Sequence, residues 1–73
     1  HLYPNPTSGL VYLEQSKEQK IQIKVFDNLG RIVFQQNAKD KQTSLDLNKL
    51  PQGIYYINIQ QDKKVSTHKV INY

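Results

Sequence analysis

The sequence predicts an all-β fold, an antiparallel β-sandwich of about seven short strands. Apolar residues recur at every second position in several short runs, which is the pattern of strands that bury one face. Residues that favour turns separate these runs at intervals of roughly ten residues. No window shows the period of a helix, and the chain has 73 residues, so we expect one small domain with a single core.

The clearest alternation lies between residues 20 and 25. Ile21, Ile23 and Val25 are predicted to face the core, while the polar residues between them face water. Phe26 breaks this alternation, so the strand is predicted to end there.

Residues 27–30 predict a tight connection to the next strand. Asp and Asn side chains hydrogen-bond their own backbone in turns, and Gly30 tolerates a positive φ. The return strand is predicted to place Ile32 and Phe34 on one face and Val33 on the other.

The same two-residue period predicts further strands at residues 10–13, 43–47, 53–60 and 65–72. A hairpin is predicted at residues 61–64. The N-terminal prolines exclude a helix, because each fixes its own φ and restricts the residue before it. We therefore predict one domain, with an extended Pro-rich arm over residues 1–9 and the β-sandwich over residues 10–73.

A turn followed by a Tyr is the most specific local feature. Residues 50–53 (Leu-Pro-Gln-Gly) reverse the chain, and Tyr55 lies at the start of the strand that follows. In a tyrosine corner, such a Tyr donates a hydrogen bond to the backbone a few residues upstream. The arrangement predicts a small Ig-like sandwich, with Tyr55, Ile57 and Ile59 facing its core.

The charge pattern predicts a solvated basic surface. The net charge is +4, from nine Lys and one Arg against six acids. The lysines are spread along the chain, whereas nucleic-acid-binding proteins concentrate basic and aromatic residues on one face, so we expect no nucleic-acid partner. No apolar run approaches the ~18 residues of a membrane span. The chain lacks Met and begins at His1, so we expect it to be part of a longer polypeptide.

Catalytic and metal-binding chemistry is not expected from this composition. The chain has no Cys, and its two imidazoles, His1 and His68, have no carboxylates at ligand spacing. No Ser has a recognisable base, and the scattered acids form no identifiable catalytic pair. We therefore predict no enzyme activity, no metal and no cofactor.

Three short motifs occur in a fixed order along the chain: Pro4, Asn5, Pro6 and Gly9, then Gly53 and Tyr55, then Lys69, Val70 and Ile71. With this order and spacing, essentially all 73 residues resemble the type A C-terminal sorting domain of type IX (Por) secretion cargo in Bacteroidetes. The nine motif residues are therefore the candidate recognition residues. The role of Asn72 and Tyr73, which follow the last motif, stays open.

The resemblance implies an Ig-like sandwich that directs an attached upstream cargo domain across the outer membrane. It implies three partners: the type IX translocon, an outer-membrane shuttle protein, and a surface sortase that removes the domain. The cargo would pass through the periplasm and reach the cell surface or the extracellular space. No cofactor is implied.

Each motif also has a structural explanation. The prolines and Gly9 could stiffen and turn the junction with the cargo, and Gly53 and Tyr55 could serve only the corner. For the last strand, we favour recognition by strand addition, and an exposed strand edge could also allow a dimer.

A different class of function stays open on the sequence alone. The chain could be a non-catalytic Ig-like accessory module or a carbohydrate-binding module of a surface protein. A sugar site needs exposed aromatic side chains, and Tyr12, Tyr56 and Tyr73 are the candidates.

Overall fold

The computed structural model describes residues 2–3 and 9–73, which form seven strands. In chain order they are β1 (Leu2–Tyr3), β2 (Leu10–Glu14), β3 (Ile21–Phe26), β4 (Ile32–Ala38), β5 (Gln42–Asp46), β6 (Gly53–Gln61) and β7 (Lys64–Asn72). Within these residues no helix is present, and so none that is long and apolar enough to cross a membrane.

The strands form two antiparallel sheets. One sheet has three strands in the order β1-β2-β5, and the other has four in the order β4-β3-β6-β7. The buried side chains of both sheets belong to one apolar cluster, which is the core of a sandwich. The predicted all-β fold is therefore confirmed, and each predicted strand is present with its ends shifted by a few residues at most.

The core follows the alternation of the sequence. The three-stranded sheet contributes Val11, Leu13 and Leu45, and Leu47 joins them directly after β5. The four-stranded sheet contributes Ile21, Ile23, Val25, Tyr55, Ile57 and Val70. Ile59 is partly buried and packs against this cluster, as its place in the alternation predicts. The central strands of both sheets, which are β2, β3 and β6, are paired on both sides.

Part of the predicted N-terminal arm belongs to a sheet. β1 runs antiparallel to β2, with Leu2 opposite Leu13. The following part of the arm, which lies outside the described residues, includes Pro4, Asn5 and Pro6.

One predicted side-chain orientation is wrong. Phe34 lies opposite Val25 and packs against the core, but Ile32 lies opposite Phe26 and is 50% exposed. The register shifts between Val25 and Phe26, where β4 has one extra residue. Such a bulge reverses the alternation, so Ile32 and Phe34 do not share a face.

The β3–β4 connection is the predicted hairpin. The Asp27 carbonyl accepts a hydrogen bond from the Gly30 N–H (3.0 Å), and Gly30 has a φ of 83°. The Asp27 carboxylate accepts from the backbone N–H groups of Leu29 (2.9 Å) and Arg31 (3.0 Å), and from Arg31 Nε (2.8 Å). The Arg31 backbone N–H is the main cause that lowers the pKa of Asp27, and its guanidinium and the Leu29 N–H act in the same direction.

This hairpin predicts a pH-dependent contribution to stability. Because the pKa of Asp27 is lower in the folded state, its charge stabilises the fold above the ordinary pKa of an Asp. That contribution is lost as the pH falls through the folded pKa. We expect Asp27→Asn to lower the free energy of unfolding at pH 7 and to lose this effect in strong acid. Urea unfolding of both proteins at neutral and acidic pH measures it, and a difference independent of pH would contradict the assignment.

Candidate recognition site

The connection between β5 and β6 forms a compact turn at one end of the sandwich. We call residues 47–52 the corner loop. The Leu50 N–H donates to the Leu47 carbonyl (3.0 Å), and the Asn48 N–H donates to Asp46 Oδ1 (2.9 Å). These local bonds close the turn, but its position is set by contacts with distant parts of the chain.

Tyr55 holds the corner loop from within β6. Its side chain is 4% exposed, and its hydroxyl donates a 2.6 Å hydrogen bond to the Pro51 carbonyl, four residues upstream. This is the geometry of a tyrosine corner, and it confirms the predicted contact. Gly53 begins the strand with a φ of 155°, and no atom lies within 4 Å of the position that a Cβ would take.

Asn72 holds the same loop from the last strand. It is 5% exposed, and its Nδ2 donates to the carbonyls of Leu47 (3.2 Å) and Pro51 (3.5 Å). The sequence had left its role open. The two-residue period of the strand could have predicted its burial. Asn72 follows Val70 by two residues, so both side chains face the core.

Gly9 reaches the corner loop from the start of the chain. Its carbonyl accepts a 2.6 Å hydrogen bond from the Leu47 N–H. Gly9 is buried and has a φ of 135°, and a Cβ at this position would overlap the side-chain amide of Asn48. A side chain is therefore disfavoured here by the backbone conformation, and it would also have to displace the exposed side chain of Asn48.

The corner loop thus brings together residues of the first two motifs and the residue that follows the third. Gly9 belongs to the first, Gly53 and Tyr55 to the second, and Asn72 follows the third directly. Within the third motif, Val70 is 1% exposed and belongs to the core, whereas Lys69 is exposed and Ile71 is 43% exposed. Pro4, Asn5 and Pro6 lie outside the described residues.

Potential metal ligands among the described residues include His, Asp and Glu side chains. No cluster of three or more His, Asp or Glu in this part of the chain could hold a metal ion. His68 Nε2 lies 3.3 Å from Ser66 Oγ on β7. Every buried side-chain nitrogen or oxygen among the described residues has a hydrogen-bond partner, so the corner is saturated by its own contacts.

Tyr55 and Asn72 should stabilise the fold through a shared acceptor, the Pro51 carbonyl. We expect Tyr55→Phe to lower the free energy of unfolding by ~1 kcal/mol and Asn72→Ala by ~1–2 kcal/mol. Because both side chains bind one carbonyl, the double variant should differ from the sum. Chemical denaturation of the four proteins measures this, and strict additivity would show that the two contacts are independent. Tyr56→Phe is the control, since that hydroxyl lies on the outer side of the sheet.

Comparison with known proteins gives a family and a fold relative. The model of the family described as the secretion system C-terminal sorting domain matches residues 1–72. Among solved structures, the chain is similar to PorZ of Porphyromonas gingivalis, an essential bacterial surface component of the type IX secretion system. The TM-score is 0.76 at 20% identity, over 100% of this chain but 11% of the PorZ chain, so the similarity shows a shared fold. No curated protein matches the chain.

Proposed function

Because this chain belongs to the family of secretion system C-terminal sorting domains, we propose that it acts as a folded signal, recognised as a compact body and not as a linear peptide. Membership makes it a C-terminal signal of type IX secretion, which directs an attached cargo toward the cell surface or the extracellular space. The family is one of secretion signals and not of enzymes.

The convergence on the corner loop of residues in or next to the three motifs is the observation that supports a folded signal. The Gly9 carbonyl, the Tyr55 hydroxyl and the Asn72 amide all contact this loop, although they lie at the start, the middle and the end of the chain. A receptor that contacts this end of the sandwich would meet residues from all three motifs only after folding. Export would then depend on the folded state.

We assign the nine candidate residues to three tasks. Gly9, Gly53, Tyr55 and Val70 would build the corner and the core beside it. Lys69 and Ile71, which are exposed, would contact the receptor. Pro4, Asn5 and Pro6 would act as an extended junction between the cargo and the sandwich, in a domain divided into an arm at 1–9 and a body at 10–73.

The proposed route has three partners. The domain would lead its cargo from the periplasm through the type IX translocon, an outer-membrane shuttle protein would carry the cargo, and a surface sortase would remove the domain. The upstream cargo in the same polypeptide is the fourth contact. Edge strands such as β4 would also be available for a dimer.

A fusion experiment tests this function. Residues 1–73 are joined to the C-terminus of a periplasmic reporter in a Bacteroidetes host with an active type IX system. We expect the reporter on the cell surface or in the medium, and a loss of display when the translocon is deleted. Accumulation in the periplasm of the intact host would refute the proposal. The size of the exported reporter tests removal of the domain.

Carbohydrate binding is the second candidate function, supported by partly exposed aromatic side chains. Tyr56 lies on the outer side of the four-stranded sheet, Tyr12 on the three-stranded sheet, and Tyr73 is 63% exposed at the chain end. Because these residues lie on different surfaces, they do not form one platform. An NMR titration with neutral and charged sugars would test this, and shifts clustered at Tyr56 would favour it.

A further inference from the structure

The outer face of the four-stranded sheet carries a row of large side chains that crosses all four strands. On the strand register, Phe26 of β3 lies between Ile32 of β4 and Tyr56 of β6. Tyr56 in turn lies beside Lys69 of β7. The neighbours of Phe26 and Tyr56 along their strands, Val25 among them, are buried, so this row faces outward.

A second apolar pair extends this row toward the corner loop. Ile54 of β6 lies opposite Ile71 of β7, one step from Gly53. Ile71 is 43% exposed and Ile32 is 50% exposed, while Ile54, Phe26 and Tyr56 are half-buried. The other half of the face is mainly polar: it holds mostly amide and hydroxyl side chains, together with Lys24 and with Val65, which is 57% exposed. The apolar half is thus a patch at the end of the sandwich where the motifs meet.

The charge on this face has one sign. Lys24 and Lys69 lie on it, and no Asp or Glu does among the described residues. The outer face of the three-stranded sheet has the opposite pattern, because its described strand residues include Glu14 and Asp46 but no Lys or Arg. The two outer faces of one small domain therefore differ in charge as well as in apolar content.

We propose that the outer face of the four-stranded sheet is a docking surface for an acidic protein surface of the export machinery. This inference rests on the proposed function and names the partner's chemistry. An aromatic and aliphatic centre with charge at its edge is the usual composition of a specific interface. Lys24 and Lys69 lie at the edge of the apolar patch. A partner with complementary charge would place carboxylates opposite them.

Charge also disfavours the symmetric alternative. Two copies that met through this same face would bring four lysines together with no carboxylate to offset them. A second copy could fit only through its other outer face, where Glu14 and Asp46 lie. That arrangement is heterologous, so copies would add one after another into open chains. In solution the average mass would then rise with protein concentration.

The test uses the reporter fusion with charge-reversed variants. Lys24→Glu with Lys69→Glu should lower surface display by about tenfold or more, because like charges then face the partner. Lys24→Glu alone should also lower display. Because Lys24 lies outside the three motifs, this variant tests the docking surface independently of the motif residue Lys69. Lys41→Glu with Lys63→Glu is the matched control, since it changes net charge equally at two exposed loop positions outside the corner loop. Lys24→Arg with Lys69→Arg should be displayed normally.

The apolar patch needs its own pair of variants. Tyr56→Gln should reduce display, whereas Tyr12→Gln, at a half-buried position on the other sheet, should not. Thermal melts of each purified variant confirm that the fold is retained. If a reversed-charge variant has unfolded, the milder pair Lys24→Gln and Lys69→Gln replaces it, with reduced display still expected.

Each outcome has a stated meaning. Folded Lys24→Glu and Lys69→Glu variants that are displayed like the parent would overturn the docking surface while leaving the secretion function intact. A parent fusion that stays in the periplasm would overturn both. Sedimentation of the purified chain tests whether a second copy binds this face and the protein grows into open chains. If the parent forms such chains and the Lys24→Glu and Glu14→Lys variants each do not, the occupant is a second copy and the proposal is overturned.

Discussion

Replacing Ile57 with alanine is expected to unfold this domain and to stop export of its cargo. Ile57 is fully buried in β6 and lies opposite Val25 on one side and His68 on the other. Truncating a buried Ile to Ala costs ~2–5 kcal/mol, because apolar contacts are lost and a cavity remains. A domain of this size rarely has more than about 3–5 kcal/mol of stability, so most of the protein should be unfolded.

Two control variants separate this effect from a general intolerance to mutation. Ile57→Val should lower the free energy of unfolding by only ~0.5–1.5 kcal/mol and leave display intact. Leu29→Ala should change stability by less than about 0.5 kcal/mol, because Leu29 is 77% exposed in the β3–β4 connection. Circular dichroism and urea unfolding of the purified chains give the stabilities, and surface labelling of the fusions gives the export.

The same variant distinguishes a folded signal from a linear one. If Ile57→Ala abolishes folding and the reporter remains in the periplasm, recognition requires the sandwich. If the unfolded variant is displayed at the normal level, the machinery recognises a short segment, and the corner loop has only a structural role. Periplasmic proteolysis is controlled by quantifying the reporter in all fractions.

The strands and the tyrosine corner could be predicted because their signals are local. Alternation of Ile21, Ile23 and Val25 requires one buried face, and a Tyr two residues after a turn glycine can reach only the backbone of that turn. Both arguments use neighbours within a few positions. The family resemblance likewise rests on short motifs, among them Gly53 and Tyr55, together with their order.

The remaining features depend on pairings that local sequence does not determine. The exposure of Ile32 results from a bulge between β3 and β4, and nothing in its own segment marks an extra residue. The contact of Asn72 with Leu47 joins residues 25 positions apart. The outer row also escaped prediction. Phe26 was correctly predicted as a strand end, but its place beside Tyr56 depends on the register between β3 and β6.

Gly9 offers the second test with a large expected effect. We expect Gly9→Val to lower the free energy of unfolding by ~1–3 kcal/mol, mainly from backbone strain, with a smaller part from displacing the exposed Asn48 side chain. The φ of 135° is a conformation that residues with a side chain rarely adopt, and a β-branched residue is the least tolerant of it. Strain at Gly9 would also displace its carbonyl from the Leu47 N–H and so loosen the corner loop.

A second substitution separates the effect of backbone strain at Gly9 from the effect of the overlap with Asn48. Asn48→Ala removes the overlapping amide, so the pair Gly9→Val and Asn48→Ala should recover the steric part of the loss and keep the part due to φ. Gly53→Val provides the comparison, because Gly53 has a φ of 155° but open space around it. We expect the loss in stability to be larger at Gly9 than at Gly53, as measured by urea unfolding. An equal loss at both positions would mean that the contact with Asn48 does not matter, and that backbone strain at Gly9 accounts for the whole effect.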